Sequence, residues 1–300
     1  MIVKKYNNVS LSKLDPKEIS KEVGTKGIVV IENSNTTVDE YTEWIKEFGY
    51  YNIVNIWCSD DIFWRVTNLI VDGKNKGLFA DDELDWHSNL IPMLDAEEVV
   101  GLYAKTITYN TETWICNSIP YYKSLDTKTQ EFFNKLMLHL GEGYHSNWQA
   151  DFHKKYEPVV ITDLTRSRNS RNIKESYNME SKYKDLFKEP RQTLKKVKFV
   201  PNHSMGTKGI FFPPYQTGGF SINGKELENG EDIFWQVWNN LIVSEKFTYK
   251  HVWKQNDIVL MDQHLTIHRR EDVDKQLTRE LLRSQSWYKY CTRNHTDYVL

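Results

Sequence analysis

The 300-residue chain lacks several features that would assign it to a class at once. It has three cysteines, widely separated and without a CxxC pair, which excludes a disulfide framework and a cysteine-rich zinc site. No apolar run approaches the ~20 residues of a bilayer-spanning helix, and no apolar segment follows the first lysines as in a secretory signal. The formal net charge of −2 does not favour a polyanion as partner of the whole surface. These absences predict a cytoplasmic protein without membrane contacts.

Common catalytic signatures are absent too. No GxGxxG fingerprint follows a strand pattern and no GxSxG nucleophile motif occurs. Gly219–Lys225 has the spacing of a phosphate-binding loop, but Glu226 follows where Mg²⁺ requires a hydroxyl. Aromatic residues, by contrast, are abundant, with 10 Trp, 17 Tyr and 13 Phe. So many large apolar side chains exclude disorder and predict one domain, residues 1–300, with a large core.

Hydrophobic spacing predicts an opening with both helices and strands. A helix is predicted over Asp15–Val23, a buried strand over Ile28–Ile31 and an amphipathic helix over Thr37–Phe48. A further helix is predicted over Thr127–Leu140 from its apolar stripe. The last hundred residues alternate in short runs separated by Pro, Gly and Asn, which favours a β-sandwich or barrel over a doubly wound sheet.

Two histidines lie in settings that predict more than a structural role. In LDWHSNLIP, an extended backbone directs His87 and Asn89 to the same side because residues i and i+2 share a face. In NDIVLMDQHLTIHRR, His268 would share its face with Thr266, His264 and Asp262 if the segment is one strand. Polar groups on an inward face need partners, and a metal ion is an efficient partner.

Several motifs occur together in a fixed order. They are Trp86–Asn89, the segment TETWICNSIPYYKSL that contains Thr113, Trp253–Gln263, and His268 followed eleven residues later by Arg279. In this order and spacing the chain resembles the taurine dioxygenase and clavaminate-synthase-like branch of the Fe(II)/2-oxoglutarate-dependent oxygenases. The resemblance spans most of the chain. It implies a mainly β fold with flanking helices, namely a distorted double-stranded β-helix or cupin-like jelly roll.

The resemblance also implies a metal site with one departure from the family. His87 and His268 would bind Fe(II), and the family's Asp is here Asn89. An amide oxygen can coordinate iron, but it is neutral, so metal affinity should fall. Asp85 is an alternative carboxylate ligand; Asp262 and His264 are less favoured ones. A catalytically silent relative, or an Asp-to-Asn change made to trap a complex, is also consistent with Asn89.

The remaining implied contacts concern the cosubstrate and the substrate. Thr113 and Arg279 would hold the distal carboxylate of 2-oxoglutarate, Arg279 through its bidentate fork. Arg283 would contact an anionic group of the substrate or form a structural salt bridge. The implied reaction is O₂-dependent hydroxylation of a small molecule, anionic or amino-acid-like. Halogenation, desaturation and non-catalytic binding stay open as alternatives, with halogenation disfavoured because Asn89 fills nearly the volume of Asp.

A basic segment stands apart from the rest of the chain. Residues 166–198 contain 11 Lys and Arg against 4 Asp and Glu. The resemblance places this insertion where relatives carry a cover over the active site, so we expect a lid that attracts an anionic substrate. A solvated insertion without a binding role is the simpler alternative. Nucleic-acid binding through interleaved aromatics ranks lower, because the remainder of the chain is acidic.

Overall fold

The computed structural model describes residues 3–51, 63–72, 74–75, 77, 83–89, 97–140, 196–214, 217–274 and 276–290. Strands form most of the regular structure in these residues. Helices α1 to α5 span Pro16–Lys26, Val38–Phe48, Ser118–Ser124, Thr127–Lys135 and Gly230–Val237. A short 3₁₀ helix precedes α1 at Leu11–Lys13, and a π-helical segment continues α5 over Trp238–Val243. The strands, β1 to β17, span Lys4–Asn7, Ile28–Glu32, Gly49–Tyr51, Trp64–Thr67, Ile70–Val71, Lys74–Asn75, Leu84–His87, Val99–Ile107, Glu112–Asn117, Met137–Leu140, Lys196–Lys198, Thr217–Ile222, Lys225–Glu226, Thr248–Val252, Ile258–Asp262, Thr266–Arg270 and Arg279–Tyr288.

The largest sheet has seven strands. Their order is β1-β2-β15-β8-β17-β3, and β4 also pairs with β17. β1 and β2 are parallel, whereas the other neighbours are antiparallel. The longest ladder joins β8 to β17, from Ser286 opposite Val99 to Arg279 opposite Ile107. Alternate residues of β17 therefore project from a rigid ladder toward the same side.

A smaller antiparallel sheet has the strand order β14-β9-β16-β7. Apolar side chains of the two sheets meet in one buried cluster, which includes Val100, Leu102, Val259, Met261 and Leu281 from the larger sheet and Ile115 from the smaller one. The residues of this cluster mark the interior between the sheets. A third sheet, in the order β11-β10-β12-β13, packs with α5 against the outer face of the smaller sheet. Helices α1 and α2 cover the outer face of the larger sheet.

Two facing sheets with helices outside them match the predicted jelly roll, so the predicted fold class is confirmed. The N-terminal elements also match the sequence prediction. Helix α2 begins after Thr37, whose hydroxyl accepts from the Glu40 N–H (3.2 Å) while the Glu40 carboxylate accepts from the Thr37 N–H (2.8 Å). This reciprocal capping box fixes the helix start. Helix α1 ends at Gly27, where φ is +83°, a value that favours glycine.

Two sequence predictions in the described residues are wrong in their boundaries. The helix predicted over Thr127–Leu140 ends at Lys135, because Met137–Leu140 instead inserts as β10 between β11 and β12. Leu138 and Leu140 are buried in that sheet, so a period of two replaces the helical period there.

None of the helices in the described part of the chain is long and apolar enough to span a bilayer.

The second correction concerns the segment that carries His268. It is not one strand, because β15 ends at Asp262 and β16 starts at Thr266 in the other sheet. The turn is held by the Asp262 carboxylate, whose Oδ1 accepts from the backbone N–H groups of His264 and Leu265, each at 2.9 Å. Asp262 and His264 therefore do not lie on the strand face of His268.

Candidate active site

His87 and His268 face each other across two neighbouring strands. β7 and β16 are antiparallel, and His87 lies directly opposite His268. The centroids of the two imidazole rings are 4.3 Å apart. His268 is 9% exposed, and its Nδ1 has no hydrogen-bond partner among the described residues. The fold thus brings together two histidines that the sequence singled out in separate motifs.

The surroundings of His268 keep its ring neutral. Burial lowers the pKa of His268 well below its usual value, and positive charge at His87 and at Arg283 lowers that pKa further. A neutral imidazole offers a nitrogen lone pair, which is the form that binds a metal ion.

Asn89 lies in the turn after β7, which ends at His87, so it does not continue the strand as predicted. Its Nδ2 is buried and has no hydrogen-bond partner in the described part of the chain. Among these residues, no three His, Cys, Asp or Glu side chains form a group suited to a metal. The side chain of Asp85, the alternative ligand, lies outside the description. The role of Asn89 as third ligand stays a prediction.

Arg279 is a buried cation at the start of β17. It is 2% exposed, and its Nε and Nη1 have no hydrogen-bond partner among the described residues. Burial lowers the pKa of Arg279 well below its usual value, and the nearby charge of Arg270 lowers it further, while Tyr109 opposes the shift. A buried guanidinium with unused N–H groups requires an acceptor, and an anion satisfies both its charge and its donors.

Arg270 is a candidate that the sequence prediction did not include. It is 4% exposed and lies two residues after His268 on β16, so both side chains project from the same face. The i, i+2 spacing from His268 was the available sequence signal. Its guanidinium adds positive charge near Arg279, which increases the requirement for an anion in this part of the interior.

Thr113 is buried on β9 and alternates with Ile115, which is part of the interior cluster. Its hydroxyl accepts a hydrogen bond from the Trp253 indole N–H (2.8 Å). The hydroxyl hydrogen is therefore directed to another acceptor. This geometry is compatible with the predicted contact to 2-oxoglutarate, which stays a prediction.

Arg283 lies four residues after Arg279 on β17 and is 4% exposed. Its Nη2 donates to the carboxylate of Glu97, a residue that is 1% exposed. Its guanidinium carbon lies 4.5 Å from the centre of the Trp64 ring. The structural salt bridge that the sequence left open is thus present, and the predicted contact to the substrate stays a prediction. Glu97 gave no sequence signal, because its partner is 186 positions away.

These residues fit the groups that the sequence implied. Two facing imidazoles, of which His268 is kept neutral by burial, suit a divalent metal, and Asn89 follows His87 by two residues. The buried donors of Arg279 suit the carboxylate of an anionic cosubstrate. Residues 166–195 of the basic segment lie outside the described residues, whereas Lys196–Lys198 forms β11, so the lid stays a prediction.

Comparisons with known sequences and structures found one family and several solved structures similar to this chain. The sequence model of the family described as "Taurine catabolism dioxygenase TauD, TfdA family" matches residues 3–285. No curated protein sequence matches the chain. Among solved structures, a taurine dioxygenase from Burkholderia xenovorans is 15% identical, with a TM-score of 0.63 over 100% of this chain and 91% of that one. A putative α-ketoglutarate-dependent taurine dioxygenase from the same organism is 13% identical, with a TM-score of 0.63 over 100% and 95%. AAD-2, in complex with Mn(II) and N-oxalylglycine, is 16% identical, with a TM-score of 0.59 over 97% and 95%.

Proposed function

This chain belongs to the TauD/TfdA family and is a 2-oxoglutarate-dependent dioxygenase, and from that premise we propose that it uses Fe(II) to hydroxylate a small molecule that is anionic or amino-acid-like. The observation that carries the proposal is the pairing of His87 with His268 across β7 and β16. In the proposed site these imidazoles bind Fe(II), and Asn89 supplies a neutral oxygen as the third protein ligand.

Bound Fe(II) and 2-oxoglutarate would supply the oxidising chemistry, in which O₂ is consumed, 2-oxoglutarate becomes succinate and CO₂, and the substrate gains one oxygen atom. The chain's own residues bind the cosubstrate and orient it at the metal. In the proposed site, Arg279 and the Thr113 hydroxyl donate to the distal carboxylate of 2-oxoglutarate. The apolar interior cluster between the sheets excludes water from the reacting atoms.

The cytoplasmic location stays part of the proposal and rests on the few scattered cysteines of the sequence. Cys116 is a free thiol buried on β9. Burial raises the pKa of the Cys116 thiol to about 12, so it stays protonated and inert in a reducing compartment.

The test is anaerobic loading of the full chain with Fe(II), followed by O₂ and 2-oxoglutarate. We expect one iron per chain and release of succinate. The Asn89→Asp variant should bind Fe(II) at least about tenfold more tightly, because a charged oxygen replaces a neutral one. His268→Ala is the control and should lose the iron. A wild-type chain that binds neither iron nor 2-oxoglutarate would instead support a non-catalytic binding protein.

Equal iron affinity in the wild type and Asn89→Asp, with loss of iron in Asp85→Asn, would assign the third ligand to Asp85. If the product is chlorinated or desaturated and not hydroxylated, the chain is a halogenase or a desaturase that uses the same oxidising chemistry.

A further inference from the structure

The ion pair between Glu97 and Arg283 is buried but incompletely satisfied. Glu97 Oε1 accepts from Arg283 Nη2, whereas Glu97 Oε2 has no hydrogen-bond partner in the described part of the chain. Arg283 Nε likewise has none there. A buried carboxylate oxygen without a donor and a buried N–H without an acceptor each cost free energy, and a polar ligand that pairs with them removes that cost.

This pair lies at the proposed site. Arg279, Leu281 and Arg283 alternate along β17, and Leu281 belongs to the interior cluster, so both arginines project between the sheets. The Trp64 ring, which lies against the Arg283 guanidinium, alternates on β4 with Val66 of the same interior cluster. The unsatisfied atoms of Glu97 and Arg283 therefore lie on the side of β17 that faces the metal ligands and the cosubstrate.

The contacts of Arg283 leave no free fork for a lone anion. Glu97 takes Nη2, and the Gln285 amide oxygen, turned toward the guanidinium, accepts from Nη1 at 3.2 Å and from Nη2 at 3.0 Å. The Trp64 ring stacks on the guanidinium face. Arg283 Nε and Glu97 Oε2 are the atoms of this pair that are buried without a hydrogen-bond partner among the described residues.

We propose that Glu97 and Arg283 together bind a free amino acid, the ammonium group of the substrate donating to Glu97 Oε2 and its carboxylate accepting from Arg283 Nε. The zwitterion matches the two unsatisfied atoms in charge and in hydrogen-bonding role. Glu97 is then the specificity-determining residue, because a carboxylate at this position repels a substrate that is only anionic. This inference rests on the proposed function, since it names the substrate class of the same site.

The first experiment uses the unchanged full chain with Fe(II), 2-oxoglutarate and each of the twenty L-amino acids in turn. Succinate release above the rate without amino acid identifies those that bind productively. For each one, the matched acid without the amino group and the matched amine without the carboxylate are compared with it. We expect both analogues to be at least about thirtyfold weaker, the scale expected when one partner of a buried charge pair is removed.

The second experiment compares two variants that each neutralise a buried carboxylate on or against β17. Glu97→Gln should raise the half-saturating concentration of the amino acid about thirtyfold and remove the preference over the deaminated acid. Glu280→Gln is the matched control, because Glu280 pairs with Lys105 (3.3 Å) and Arg65 (3.6 Å) on the opposite face of β17. It should leave the amino-acid preference unchanged.

The inference is wrong if the deaminated acids stimulate turnover as well as the amino acids, or if Glu97→Gln and Glu280→Gln shift the preference equally. It is also wrong if the chain binds 2-oxoglutarate and Fe(II) but no amino acid stimulates succinate release. That last result leaves the proposed function intact. A chain that fails to bind 2-oxoglutarate at all overturns the proposed function itself.

Discussion

Two buried polar clusters differ in how completely their atoms are paired. The closed cluster consists of His203, Asp262 and Tyr288. Met205 N–H donates to His203 Nδ1 (3.2 Å), so the proton on Nε2 donates to Asp262 Oδ2 (2.7 Å). The Tyr288 hydroxyl donates to the same oxygen (2.6 Å). With the two backbone N–H groups on Oδ1, Asp262 accepts four hydrogen bonds in the absence of water.

The open cluster consists of Glu97, His268, Arg279 and Arg283. It is about as deeply buried, yet each member retains at least one nitrogen or oxygen without a partner among the described residues. A folded chain rarely leaves buried polar atoms unsatisfied unless a ligand, ion or water completes them. The two clusters therefore differ in kind: the closed one is complete without a ligand, whereas the open one keeps atoms that a bound ligand would pair.

The largest expected effect comes from opening the closed cluster. Asp262→Ala removes the acceptor of His203, Tyr288 and two backbone N–H groups, all of which stay buried. We expect the free energy of unfolding to fall by about 3–5 kcal/mol, the usual cost of breaking a buried charged network. Urea unfolding followed by fluorescence measures this change.

Tyr288→Phe is the graded control for that experiment. It removes one donor and leaves the other three on Asp262, so it should cost about 1 kcal/mol. An Asp262→Ala chain as stable as Tyr288→Phe would mean that the closed cluster does not hold the turn before β16.

The open cluster should respond in the opposite way. Arg279→Leu replaces a buried cation whose Nε and Nη1 lack partners among the described residues by an apolar side chain, so the stability of the ligand-free chain should stay the same or increase. The same variant should bind N-oxalylglycine about a hundredfold more weakly, since the carboxylate loses its charged donor. Calorimetric titration in the presence of Mn(II) measures the affinity, and urea unfolding measures the stability.

Arg279→Lys tests the geometry of the contact rather than its charge. It keeps the charge without the planar fork and should lie between the wild type and Arg279→Leu. If Arg279→Leu unfolds as readily as Asp262→Ala, the distinction between the two clusters fails.

The sequence predicted the elements whose signals are local. The capping box of Thr37 and Glu40 and the apolar run of β2 are short-range features, and both match the structure. The resemblance gave the fold class. The histidine pair was also predictable, because His87 and His268 each occur in a recognisable motif even though their contact is long-range.

The features that the sequence did not predict depend on partners that are distant along the chain. Leu138 has helical spacing from the preceding apolar residues, and only its neighbours in β11 and β12 select a strand there. Asp262 was predicted on the face of His268, because its role in turning the chain depends on His203 and Tyr288. Glu97 is one of many acidic residues until the fold places Arg283 beside it.

The smallest effect concerns His264, which packs beside the closed cluster. Burial lowers the pKa of His264 to about 4; His203 adds to this, while Asp262 and Glu98 oppose it. In the unfolded chain its pKa is about 6.5. Between these values the unfolded chain binds a proton that the folded chain excludes, so the free energy of unfolding falls as the pH falls, by at most about 1.4 kcal/mol per pH unit.

Urea unfolding from pH 7 to pH 5 should show that the free energy of unfolding changes less steeply with pH in His264→Asn than in the wild type. His268 contributes in the same direction to both proteins, so the difference isolates His264. His139→Gln is the control: its pKa is also lowered by burial, but His139 is only half-buried and should change the slope less. Equal slopes in the wild type and His264→Asn would mean that acid acts on the fold through the open cluster instead.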